Sequence, residues 1–598
     1  MVGATAHLVW LRRDLRLHDH QPLTAACAAA AAAAGGVVAP VFVLDLSEMH
    51  HQRGGGGHLA KVTQISNLPR IGPHRARFLL ECLSGLRSQL EGAGSRLLIR
   101  RGPAADALLE VAAQLYAAGG VSSIVLHHHF EIGTEEAEQA RQVALAFEEH
   151  GHAVHEYMGS TLYHVDDLPA QFIDPAQPPP NLAKRAKKEA ARRKRMQQQQ
   201  QQQQVDQPEP EPEPEPELEP EPEDTASIGG RLRTALRELP AVMTEFRRTV
   251  AASAIRPPLP PPSTPFPPSP AMSVPAGELP TVAELCGGAS GLAAIQCLLR
   301  GDDAADGAAA AEVAITDSRS AFPFSGGEAS GQARVMAFLG LSTAADQLGQ
   351  QPEAAAAGAV PAPVVMPALG YRERRSLASR GPDGVDDSAK FSPWLATGAL
   401  SPRWVYAQLE RFRAAAVAAA AAQPDSEPPQ PDSEPPPPPL QTPAAAEAAE
   451  AAADGPSKGQ WQGRRDTRAK HHQSNAKGGG REGAADWLQM HLTIRDFFLF
   501  TGIRAGPALF RSGGIKGAGA QWAAVPPTLA RSWVRGAVGF PFHDACMKEL
   551  GCTGWLSNRG RQNVASFLTK DLRADWRVGA ELFELLLIDH DVAANYAK

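Results

Sequence analysis

Short apolar runs and helical periods alternate along the first 170 residues. LVWL (8–11), VVAPVFVLD (37–45), RLLIR (96–100), SSIVLHHHF (122–130) and HAVHEYM (152–158) each predict a strand. Between them lie amphipathic stretches. In RARFLLECLSGLRSQLEGAG, Phe78, Leu79, Cys82, Leu83, Leu86 and Leu90 recur at helical spacing up to Gly92, which predicts a helix with one buried face. Five strands alternating with helices predict a doubly wound α/β domain on a five-stranded parallel sheet, at residues 5–174. No G-x-G-x-x-G follows the first strand, so the dinucleotide fingerprint is absent. GGGG at 54–57 predicts a flexible loop.

The pattern then dissolves. KRAKKEAARRKR (184–195) runs into polyglutamine and a Glu-Pro repeat, compositions that bury too little apolar surface to offset chain entropy. A disordered insert is expected over 175–230, followed by a helical interdomain segment at 231–255. A mostly low-complexity linker spans 256–365, within which a helical domain begins near 322–350. From 366 to 598 strand alternation is missing and tryptophan is frequent, which predicts an all-α domain interrupted by a disordered Ala/Pro insert at 414–480.

Charge and cysteine narrow the picture only slightly. A net charge of −7 gives no global case for nucleic acid, so any basic footprint must be local. The run from Lys184 to Arg195 is one such footprint, open between a solvated charged helix and a localisation or DNA-binding element. Six cysteines without a C-x-x-C argue against a disulfide scaffold or a zinc motif. The uncharged stretch from Ala25 to Leu44 is mostly alanine, is broken at Gly35-Gly36 and ends in a strand pattern, so no membrane span is expected. Charges where an apolar leader core would lie argue against a signal peptide, leaving an intracellular protein with plastid, nucleus and cytosol all open.

The densest chemistry lies between Gly551 and Asp575. Trp555, Asn558, Arg559, Arg561, Gln562 and Asn563 crowd into one segment, a set that is expensive to bury unless it grips something polar or anionic. A helix-capping loop with surface arginines is the plainer alternative. Ser392-Pro393 and Ser401-Pro402 each have the order of a helix cap followed by proline, and a helix N-terminus suits a pyrophosphate. His127, His128 and His129 are consecutive on a predicted strand, so their side chains point to alternate faces and do not converge on a metal ion.

KFSPWLATGALSPRWVYAQL, TGWLSNRGRQNVASFLTKDLRADWRVGAELFELLLIDHDV and LVWLRRDLRL resemble the cryptochrome/photolyase family of FAD flavoproteins, and SNRGRQNVASF is similar to its DASH branch. GPHRARFLLECLSGLR, GSTLYHVDDLPAQF and LPAVMTEFRRTV agree with that branch, so the resemblance covers nearly all of the sequence outside the inserts. It implies FAD held inside the helical domain. Tyr371 falls on the family's flavin-site tyrosine, and Ser388, Lys390, Phe391 and Ser392 fall on the segment that wraps the phosphates. Arg495 matches a flavin-pocket arginine. Trp555, Asn558 and Arg561 match positions lining the isoalloxazine and adenine, and Asp589, Asp591 and Asn595 match those facing the flavin ring, with an Arg561–Asp589 salt bridge. Glu131 falls on the glutamate that holds a folate antenna (5,10-methenyltetrahydrofolate) in the DASH branch.

The resemblance further implies light-driven repair of pyrimidine dimers in single-stranded DNA, with His491, Trp555, Arg559 and Gln562 at the lesion-facing positions and Trp576, Trp522 and Trp533 on electron-supply positions. Two departures stand out. The family's E-L-L-W-R-D is HLTIRD here, so His491 replaces a lesion-contacting glutamate and Ile494 a tryptophan. The sequence also ends at NYAK, before the position of the innermost electron-supplying tryptophan, and a truncated chain is expected. The alternatives to a photolyase-type lyase are a blue-light receptor without repair activity, with the inserts as protein-interaction segments, and an inactive truncated chain. A monomer is expected.

Overall fold

The computed structural model describes residues 4–32, 36–44, 63, 65–66, 69–169, 232–233, 236–262, 266, 273–300, 324–341, 389–421, 482–517 and 522–597. The expected basic, polyglutamine, Glu-Pro and Ala/Pro inserts fall almost wholly outside these residues. So do Tyr371 and Ser388.

All five predicted strands form, as β1 (Ala4–Leu11), β2 (Val37–Leu44), β3 (Leu98–Arg101), β4 (Val121–His129) and β5 (Ala153–Tyr157). They pair in parallel in the order β3-β2-β1-β4-β5. Helices α1 (Gln21–Ala32), α2 (Pro73–Gly92), α3 (Ala104–Ala117) and α4 (Thr134–Glu149) connect them. Strands covered on both faces read as nearly unbroken apolar runs. Ala6, Leu8 and Trp10 of β1 pack with Leu108, Val111 and Leu115 of α3 and with Val143 and Phe147 of α4. Val9 and Val38, at alternate positions, lie on the other face, and α1 packs against β1, β2 and β4. The alanine-rich stretch once open to a membrane reading is thus α1 and a central strand, and no helix among the described residues is long and apolar enough to cross a membrane.

The remaining elements are helical: α5 (Met243–Val250), α6 (Val282–Leu285), α7 (Gly288–Arg300), α8 (Glu328–Leu339), α9 (Ser392–Ala396), α10 (Pro402–Ala421), α11 (Glu482–Ala505), α12 (Pro527–Arg535), α13 (Pro541–Thr553), α14 (Asn558–Ser566), α15 (Trp576–Leu586) and α16 (Val592–Tyr596). The chain divides into a large compact unit (1–336, 383–407 and 490–598) and a small one (337–382 and 408–489). Within the small unit, Arg413 reaches from α10 to Asp486 at 2.9 Å and to Gln489 at 3.0 Å on α11.

Inside the large unit, the turn after β1 is clamped to the helical half. Arg16, almost wholly buried, donates to the carbonyls of His18, Asp19 and Gly398 at 3.0, 2.9 and 2.7 Å. Gly398 has a φ of +67°, and a Cβ there would stand 1.9 Å from the Arg13 carbonyl, so only glycine allows this approach. Ser401 was one of two expected helix caps and is one: its Oγ accepts from Arg403 N at 3.2 Å and Trp404 N at 3.4 Å. Its hydroxyl also bonds Asp19, which takes Arg403 as an ion pair at 2.6 Å. This helix start is therefore filled by protein groups. The other expectation is corrected, since Phe391 occupies the cap position of α9 and Ser392 is its first helical residue.

Candidate functional site

Residues of α12, α14, α15 and α16, with Gly513–Ile515, line a cavity of about 590 Å³. Its polar frame comes from two short segments. α13 ends on Gly554 in the left-handed conformation (φ +68°), with the Cβ position blocked by His74 and Ile588, and the chain turns sharply into α14. Ser557 caps α14 by accepting from Gly560 N at 3.1 Å, which sets Arg561 one turn in. Arg561 donates to both oxygens of Asp589 at 2.9 and 2.7 Å and to the Leu556 carbonyl at 2.8 Å. The salt bridge expected from the resemblance is present, with its carboxylate buried.

Asp591 caps α16, its Oδ1 accepting from Ala594 N at 2.9 Å, and the Asn595 N–H bonds the Asp591 carbonyl at 2.8 Å. Both line the cavity, one turn apart. The Asn595 amide is fixed by donating to Ala580 O at 3.0 Å. Apolar walls come from Trp533, Leu568, Phe583 and Leu587. Trp576 also lines the space, and its indole N–H donates to Ser512 O at 3.0 Å; Trp522 donates to the same carbonyl at 3.3 Å. Gln562 lines the rim.

Other predicted positions lie elsewhere. Lys390, at φ +53°, sits 5.5 Å from the Trp555 ring centre. Neither lines the cavity, nor do Phe391, Ser392, Asn558 and the exposed Arg559. His491 is exposed on α11. Arg495 donates to the Ser160 and Leu395 carbonyls and meets Asp591 at 3.5 Å, lining a second cavity of only about 40 Å³. Glu131 lines that same small space, its carboxyl pushed up by burial against the pull of Arg13. Such a volume suits a water-sized molecule and is too small for a pterin.

Two cavity residues escaped the sequence reading. Tyr596 packs on Phe510 and Trp576, with ring centres 5.0 and 5.8 Å apart, and its hydroxyl donates to Glu584 at 3.3 Å. His590 is buried between the two aspartates, and neither ring nitrogen has a hydrogen-bond partner among the described residues. The only sequence signal for it was its place between Asp589 and Asp591.

The consecutive histidines separate as expected. His127 meets His7 at 3.0 Å and Tyr157 at 2.9 Å, His128 packs on Trp10, and His129 meets Asp14 at 2.7 Å. Asp14, His20 and His129 place three ligand-type atoms within 4.8 Å of one another. His20 Nδ1 already accepts the Leu23 N–H at 3.1 Å, which keeps the proton on Nε2, the nitrogen 2.9 Å from Asp14. The group is a charge-assisted network around a carboxylate. Burial raises the Asp14 carboxyl, but His20 and His129 more than offset this and hold it well below its usual range.

The large cavity fits a flavin on its own terms. Its volume lies in the range of small-molecule sites, roughly 300–1,000 Å³. Its lining combines the apolar side chains of Trp533, Leu568, Phe583 and Leu587 with the charged and amide groups of Arg561, Asp589, Asp591 and Asn595. Comparison with known proteins agrees. Residues 7–210 match the model for DNA photolyase, and residues 487–598 match the FAD binding domain of DNA photolyase. The chain is 28% identical to Cryptochrome DASH of Gloeobacter violaceus, over 99% of its own length and 77% of the relative's. It is likewise 28% identical to Cryptochrome DASH of Danio rerio, over 98% and 75% of the two lengths. The crystal structure of Synechocystis sp. PCC6803 cryptochrome superposes with a TM-score of 0.59 at 25% identity, covering 99% of this chain and 80% of that one.

Proposed function

Since the chain belongs to the cryptochrome/photolyase family, on its DASH branch, we propose that it is a blue-light-dependent FAD flavoprotein that splits cyclobutane pyrimidine dimers in single-stranded DNA. One observation carries the reading: the Arg561–Asp589 pair, Asp591, Asn595 and Trp576 converge on one cavity within the segment that matches the FAD-binding domain. Bound there and reduced, FAD supplies on light excitation the electron that the dimer takes up and returns.

The chain's residues would do the holding. Leu568, Phe583 and Leu587 would pack against the apolar surface of the flavin. Arg561 would orient the Asp589 carboxylate through both of its oxygens, a positioning role rather than a source of net stability. Trp522 and Trp576, whose indoles donate to one carbonyl, would pass electrons toward the cavity, a role the resemblance suggests. A folate antenna at Glu131 rests on the resemblance alone.

A second reading, a light receptor without repair activity, is favoured by His491, since an exposed imidazole stands where the family's lesion-contacting carboxylate would be. Blue light on purified, flavin-reduced protein mixed with a single-stranded oligonucleotide carrying one thymine dimer separates the two. Repair predicts dimer loss only in the light. Undiminished dimer with reduced FAD bound leaves the receptor reading.

A further inference from the structure

We propose that an aromatic and basic stripe along the outer side of α14 binds single-stranded nucleic acid, with bases stacking on Phe540 and Phe542; this rests on the single-strand reading above. Phe540 and Phe542 are 58% and 56% exposed, and Gly539 and Pro541 beside them are exposed as well. Two adjacent phenyl rings left in water forgo their burial, and such a patch marks a contact surface. The turn that presents them is held firmly. Asp544 accepts the Val538 and Gly539 N–H groups at 3.0 and 2.9 Å, one on each oxygen, and Pro541 opens α13 with its fixed φ. A surface set in this way loses little conformational freedom on binding.

The neighbouring residues decide what the rings meet. Phe540 packs on Phe567, with ring centres 5.2 Å apart. Arg559, Asn563, Phe567 and Lys570 follow at steps of four, four and three, which places them on one face of α14 and the turn after it. Gln562, Ala565 and Leu568 line the large cavity from another side of the same segment. Arg559, Asn563 and Lys570 are all exposed. The stripe carries two cations and no acid, in a chain whose net charge is −7. Just beyond it, the exposed Asp571 and Arg573 offset one another. Cations interleaved with aromatic faces suit a single strand, whose bases are free to stack and whose phosphates run alongside. A duplex keeps those base faces inside its own stack. The stripe is also continuous with the site, since Arg559 stands one turn from Gln562 at the cavity rim.

The test uses full-length protein and a fluorescent oligothymidylate without lesions, followed by anisotropy. Phe540→Ala with Phe542→Ala is expected to bind about tenfold more weakly, with its melting temperature unchanged. Tryptophan at both positions keeps a stacking face and is expected to hold wild-type affinity. Lys570→Gln is expected to lower the slope of log affinity against log salt by about one. Phe542→Ala alone, expected to lose about fivefold, answers the question if the double variant does not fold. Unchanged affinity in the alanine variants overturns the proposal and leaves the rings to a protein partner. An equal loss with tryptophan overturns it too, because the role would then be structural. Wild type that binds no oligothymidylate overturns the single-strand reading along with it, which separates the two failures.

Discussion

The clamp around Arg16 and the cavity wall around His590 are built from the same residue types, Arg, His and Asp, at similar depth. In the clamp, Nε and both Nη atoms of Arg16 each reach a carbonyl, and Asp19 takes Ser401, Arg403 and the Leu259 N–H. In the wall, the flanking carboxylates are paired, but the imidazole between them has no partner. The difference teaches that composition does not tell a structural pin from a binding surface. The partners do: the clamp is a closed network that ties two distant segments together, whereas the wall pairs its carboxylates and leaves an imidazole between them unpaired among the described residues.

That contrast can be broken in four graded ways. Arg16→Leu should cost the most, about 3–5 kcal/mol of unfolding free energy in urea, because it strands buried acceptors and a carboxylate; a loss well under 1 kcal/mol would make the clamp dispensable. Asp496 comes next. It is fully buried on α11, bonded to the N–H groups of Leu162 and Tyr163, and burial pushes its carboxyl up to about 7. A carboxyl raised in the folded state binds a proton there that the unfolded chain has released, so stability is full below pH ~4 and falls as pH rises toward 7. Melting across that window should show wild type losing on the order of 3 kcal/mol relative to Asp496→Asn, and parallel profiles would refute the shift. Arg561→Gln should cost roughly 2–3 kcal/mol, with visible loss of flavin absorbance on gel filtration; retained flavin would remove the Arg561–Asp589 pair from the site. Ser401→Ala should cost about 1 kcal/mol, measured by thermal melting, and no change would mean that Asp19 and Arg403 hold α10 without its cap.

Much of the frame was legible in the residues themselves. Val37–Leu44 is buried almost throughout, so its apolar run announces a parallel strand without tertiary information. The spacing of Asp591 and Asn595 was legible because one-turn periodicity is local, whereas the Arg561–Asp589 pair joins distant positions and came only from the resemblance. Ser392 against Ser401 shows the limit. Both precede proline, but only Ser401 meets Asp19 and Arg403 from distant segments, and those contacts decide which hydroxyl caps. Lys390 and Trp555 are brought together away from the cavity, although sequence similarity groups them with the flavin site. His590 stayed unseen because an unpaired nitrogen is a property of its surroundings, not of a residue pattern.

Asp591 links both cavities, capping α16 through one oxygen and meeting Arg495 through the other. Asparagine caps a helix about as well as aspartate, so Asp591→Asn would keep the helix while erasing a negative charge beside the site. In the genetic code that change is one transition at the first base of the codon. A lineage carrying this fold therefore has a short mutational path to a different electrostatic setting at its site, without first having to survive a destabilised intermediate.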